Sequence, residues 1–137
     1  MFSKEDRGKF KYTFAHWCAF QMTALNLGCW KFKYLFHDIE KPILRLFFKY
    51  KTVQRIHRRN NRHHLEYKGG LEKIDWEAFV IDNESCRFTK SAAPLTAKEF
   101  YESLISGNKV GENEKKFLTK NVPPVLKRLG LCGGSKK

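Results

Sequence analysis

The sequence predicts an all-α protein, a single compact bundle of about five to seven helices. Three observations carry this. Apolar residues recur at three- and four-residue steps through most of the 137 positions. Helix punctuation is frequent: Gly28, Pro42, Asn60-Asn61, Gly69-Gly70 and the box opened by Thr96. The one alternating stretch, Trp30, Phe32, Tyr34 and Phe36, finds no second strand to pair with. An apolar fraction of 42% with 15% aromatics supplies a real core and excludes a disordered chain. Residues 1–131 are expected to form one domain, and 132–137 a flexible tail.

The first helix is expected over residues 10–27. Phe10, Phe14, Trp17, Cys18, Met22 and Leu25 mark its inward face, with His16 beside that face. Gly28 can take the left-handed conformation that ends it. Residues 29–38 are read as a second helical segment. A third helix starts at Pro42, which suits a first turn, and runs to His57 with Ile43, Leu46, Tyr50 and Val53 inward. Asn60-Asn61 breaks it. A helix from Asn61 would carry His63 and His64 in its first turn. Another covers 71–90, with Asp82 on the edge of its apolar stripe, and Ser91–Pro94 is a linker. Thr96 and Glu99 form a capping box for a helix through Ile105. A last short helix over 112–120 is expected to end before Pro123-Pro124, followed by a basic amphipathic piece.

The charge balance narrows the partners. Lys and Arg number 27 against 14 Asp and Glu, a net of +13. Such a field attracts anions, so nucleotides or nucleic acid are expected partners. The four cysteines show no paired spacing and read as reduced thiols. No leader segment is evident, and Lys31, Lys33, Lys41 and Arg45 interrupt the apolar runs. A cytoplasmic protein with no membrane partner is the resulting expectation.

The chemistry centres on Phe36-His37-Asp38-Ile39-Glu40-Lys41-Pro42. An imidazole and a carboxylate stand side by side there. Neutral imidazole and carboxylate are ligands for borderline divalent metals. His16 on the preceding helix can face them across a hairpin, and Asp82 on a later helix can close the shell. His57, His63 and His64 are further imidazoles, enough for a second ion with Asp38 as bridge. All five histidines thus fall in one candidate set. Two ions roughly 3.5–4 Å apart activate a water and clamp a phosphoryl group. Lys41 is a candidate to contact phosphate or orient the water, and Asp38 counts as catalytic as well as ligating. Arg58, Arg62, Arg87 and Lys90 flank the ligands and suit bidentate phosphate binding.

The order His16, His37-Asp38, His57, His63-His64, Asp82 resembles the HD-domain superfamily of metal-dependent phosphohydrolases. His37-Asp38-Ile39-Glu40-Lys41 is similar to its HD-x-x-K stretch, with Glu40 where the family's HDxGK form has glycine. His63-His64-Leu65-Glu66 looks like the HHE segment of its two-metal phosphodiesterase branch. The block Asn61-Arg62-His63-His64-Leu65-Glu66-Tyr67 also looks like a small helical family of bacteria and phages. The resemblance implies a helical core with the ligands in this order. It further implies hydrolysis of a phosphate ester in a nucleotide or related small anion by a metal-bound hydroxide. The expected cofactors are two divalent ions, iron or manganese first, with magnesium, zinc, cobalt or nickel as alternatives. The rival readings are a non-catalytic basic module that binds nucleic acid or nucleotides, a di-iron oxygenase on the same scaffold, and a metal-stabilised structural protein.

Overall fold

The structure, a computed structural model, describes residues 4–89 and 95–132, with side chains from Lys11 onward. Among the described residues the chain is all-helical and has no strand. Its helices are α1 (Lys4–Asn26), α2 (Glu40–Arg45), α3 (Tyr50–Asn60), α4 (Trp76–Cys86), α5 (Ala97–Ser106) and α6 (Glu112–Arg128). Two 3-10 turns, Phe32–Phe36 and Leu71–Lys73, lie between them. Lys90, the linker Ser91–Pro94, the tail from Gly133 and the side chain of Phe10 lie outside the described residues.

The centre of the bundle is α4, which packs against α1, α5 and α6. Ala78, Phe79, Val80 and Ile81 are consecutive and all buried, as a helix covered on several sides requires. They meet Phe20 and Ala24 of α1, Leu104 of α5, and Leu118, Val122 and Leu126 of α6. The caps explain where elements begin. Asp75 Oδ1 accepts from the Ala78 amide at 3.0 Å, so α4 starts at Trp76 and not at residue 71. Thr96 and Glu99 form the expected capping box of α5. Gly28 ends α1 at φ 71, its amide bonding to Leu25 O and that of Cys29 to Ala24 O, both at 3.0 Å.

Four further expectations fail, each for a visible reason. The outer stripe of α1 is not its core face: Phe14, Met22 and Leu25 are exposed. The buried residues of α1 are His16, Phe20, Gln21, Thr23 and Ala24, on the helix that packs against α4. The helix expected from Pro42 to His57 is two helices, α2 and α3, joined by a turn over residues 46–49. One straight helix would carry His57 about 22 Å along its axis away from Pro42. The turn instead returns His57 to 2.9 Å from Asp38. Residues 61–70 are successive tight turns, not a helix. Neighbours on a helix point apart, and only a non-helical backbone lets His63 and His64 face one place.

Finally, α6 continues through Pro123 and Pro124 to Arg128. Each proline removes one intrahelical bond. Val122, Val125, Leu126 and Leu129 are all buried there, and this packing outweighs the loss. A buried carboxylate fixes the same end of the bundle: Glu77 of α4 binds Tyr34 Oη, Lys31 Nζ at 2.9 Å and Arg128 Nη2 at 3.0 Å. The cysteines are free, but none is fully buried. No helix among the described residues is long and apolar enough to cross a membrane.

Candidate metal centre

Five parts of the chain deliver side chains to one place. His16 comes from α1, and His37 and Asp38 from the turn that precedes α2. His57 comes from the last turn of α3, His63 and His64 from the turns after it, and Asp82 from α4. Asp38 adopts a left-handed backbone, φ 57, one of the few conformations that aspartate tolerates and most residues avoid. The turn there packs its carboxylate among the imidazoles.

The donor atoms form two groups, each within 4.8 Å internally: His16, His37, Asp38 and Asp82, and His57, His63 and His64. Together they are the whole ligand set expected from the sequence. In the first group, Asp82 Oδ1 lies 2.8 Å from His16 Nε2 and 3.0 Å from His37 Nε2. Asp38 reaches both groups. Its Oδ1 is 3.4 Å from His37 Nε2, 2.9 Å from His57 Nε2 and 3.3 Å from His63 Nε2. Its Oδ2 is 3.1 Å from Lys41 Nζ. The rings are packed: His37 stacks on Phe20 at 3.7 Å, and the His63 and His64 centroids are 4.2 Å apart.

Several atoms lie close without bonding. Asp38 Oδ1, the Nε2 atoms of His57, His63 and His64, and His16 Nδ1 are buried with no hydrogen-bond partner. The 2.9 Å approach of His57 Nε2 to Asp38 Oδ1 is therefore one of distance without bonding geometry. Buried polar atoms are ordinarily satisfied. Such a crowd of lone pairs is what a cation would satisfy, so this buried His/Asp group could hold a metal ion.

The electrostatics suit donors. Burial lowers His37 below its ordinary value, despite the charges of Asp38 and Asp82. Burial and the neighbouring His63 push His64 down to about 2, leaving a neutral ring. Burial raises both Asp38 and Asp82, but the imidazoles around them outweigh it and hold both carboxyls well below the usual range. His16 and His57 are the exceptions: burial lowers His57, yet the carboxylates of Asp38 and Glu40 outweigh it and raise it above its ordinary value. Burial lowers His16 as well, yet Asp82, Cys86 and Asp38 push it up to about 10.

Two residues around the ligands were missed in the sequence. Glu40 Oε1 accepts from His57 Nδ1 and, at 2.9 Å, from Asn61 Nδ2. A carboxylate there assigns the ring proton to Nδ1 and leaves Nε2 as the donor atom facing Asp38. Asn61 also donates to His57 O at 2.8 Å. In the sequence Glu40 stands out only as a departure from the glycine of the HDxGK form. Its signal was an acidic residue beside a histidine-rich set in a stretch otherwise poor in carboxylates.

The centre opens into a cleft of about 600 Å³, lined in part by His16, Asp38, Lys41, Arg58, His64 and Asp82. Lys109 and Tyr50 also line it and were not anticipated. Of the arginines expected to dock phosphate, only Arg58 lines this cleft. Arg62 lies in a separate depression and donates to Lys73 O at 2.7 Å. Arg87 is held at 2.7 Å by Glu84, whose other oxygen caps the Ala97 amide. Lys90 lies outside the described residues. Compared with known proteins, the chain matches no family model, no curated protein and no solved structure.

Proposed function

We propose that this chain is a metal-dependent phosphohydrolase of the HD type, acting on a nucleotide or a related small anionic phosphate. One observation carries the reading: among the described residues, the unpartnered buried polar side-chain atoms all belong to the histidines and aspartates expected to ligate metal. His16, His37, Asp38 and Asp82 would hold one divalent ion. His57, His63 and His64 would hold a second, with Asp38 shared between them. Ions held here would supply Lewis acidity and lower the pKa of a bound water toward neutrality.

The chain's own residues supply the rest. Lys41 reaches Asp38 and lines the cleft, so it can meet an anionic oxygen arriving beside that carboxylate. Arg58 and Lys109 add positive charge along the approach. Glu40 and Asn61 orient His57. Five of the seven ligands are buried, and half-buried His64 and Asp82 line the cleft, so the substrate phosphate can reach them while its remainder stays in the cleft.

The test is elemental analysis of untagged protein beside Asp38→Asn, which keeps the left-handed turn and removes the charge. Two equivalents of a divalent ion in the wild type, reduced in the variant, are expected, together with phosphoesterase activity that chelation abolishes. Failure of the wild type to take up any divalent ion would overturn the reading. Metal uptake with turnover only under oxygen would replace hydrolysis with oxygenase chemistry.

A further inference from the structure

We propose that the surface around the α2–α3 turn docks on an anionic lipid surface. The turn places Leu46, Phe47 and Phe48 at its tip, with Phe47 75% and Leu46 64% exposed. Ile39 and Ile43 continue the apolar surface along α2, and both are exposed. The steps of four and three from Ile39 to Ile43 and Leu46 put these three along one side of α2, and all three are exposed. Exposed apolar clusters of this kind mark interaction sites.

The charges choose the occupant. From Lys41 to Leu65 the sequence holds no Asp or Glu. Asp38 and Glu40, just before, turn inward to the imidazoles. Lys49, Lys51 and Arg55 are exposed beside the apolar tip. A second copy of this chain would bring the same cations to the same face, and the net charge of +13 opposes that. Protein interfaces are depleted in lysine. Single-stranded nucleic acid would use the phenylalanines for stacking but has no use for Ile39, Ile43 and Leu46. Hydrocarbon accepts all of these side chains, and lysines beside them meet acidic headgroups. A surface site of this kind needs no membrane-spanning helix.

The experiment is co-sedimentation of the full chain with vesicles of equal parts phosphatidylcholine and phosphatidylserine, against vesicles of phosphatidylcholine alone. A single-stranded oligonucleotide serves as a competing probe. Binding to the anionic vesicles alone, weakening with salt, is expected. Phe47→Ser/Phe48→Ser should reduce partitioning by at least roughly tenfold, and each of Lys49→Gln and Lys51→Gln by about fivefold. These residues are exposed, so far-ultraviolet circular dichroism should be unchanged. Phe88→Ser, an exposed phenylalanine beyond α4, should bind as the wild type does. Absence of binding to anionic vesicles would overturn the proposal. So would equal binding by the double serine variant, or oligonucleotide binding that displaces the chain from vesicles.

Discussion

Replacing Glu40 separates the orientation of a ligand from its presence. His57 Nδ1 lies between two groups, the Glu40 carboxylate and the Asn61 amide nitrogen, which is 3.1 Å away. The carboxylate can only accept, so it fixes the proton on Nδ1. With Glu40→Ala, the Asn61 N–H becomes the nearest partner and can donate to Nδ1. The proton then moves to Nε2, the atom that faces Asp38, and that nitrogen is lost as a donor. Partners of this kind typically contribute a factor of 10–100 in metal affinity, or about 1.4–2.7 kcal/mol. Glu40→Gln, whose oxygen still accepts, should sit near the low end and Glu40→Ala near the high end. Isothermal titration of metal-stripped protein with manganese would read this as weakening confined to one of two equivalents. Glu40→Ala/Asn61→Asp, which returns a carboxylate to Nδ1, should recover most of it. The reasoning would be falsified if Glu40→Ala took up both equivalents with wild-type affinity, or if the second carboxylate restored nothing.

Other outcomes follow from the fold. Leu118 of α6 is fully buried in the core, and Leu118→Ala should cost about 2–5 kcal/mol in urea unfolding. Pro124 is exposed inside α6, so Pro124→Ala regains a bond to the Lys120 carbonyl and should stabilise by about 1–2 kcal/mol; a loss would mean that the ring itself is packed. Burial raises Glu77 and Asp75, but Tyr34, Lys31 and Arg128 around Glu77, and Lys33 at Asp75, hold both below their ordinary values of 4.5 and 3.8. Such carboxyls add stability that is present above the unfolded pKa and lost as pH falls through the folded one. The acid limb of melting temperature against pH should therefore begin near 4.5 and be shallower in Glu77→Gln.

The sequence made the helical class and the ligand order legible, because both rest on local signs. Gly28, Asn60 and Thr96 mark ends by backbone chemistry that acts within a few residues. The histidines could be grouped because they are few. What it hid depended on distant packing. On α1 the more apolar stripe, Phe14, Met22 and Leu25, was the misleading one; the contact with α4 selected the face bearing His16 and Phe20. The prolines of α6 looked like a stop because the apolar partners that hold the helix together lie on other elements. The break between α2 and α3 carries no strong local signal, yet His57 could not meet Asp38 without it.

The bond between His16 and Asp82 closes a loop of 66 positions. No fragment lacking α1 or α4 can therefore assemble the centre, and in folding it has to wait for that closure. An ion held there would pin the first helix to the middle of the chain. Its escape and the detachment of that helix would be a single event, with a residence time set by the opening of the protein as much as by ligand strength.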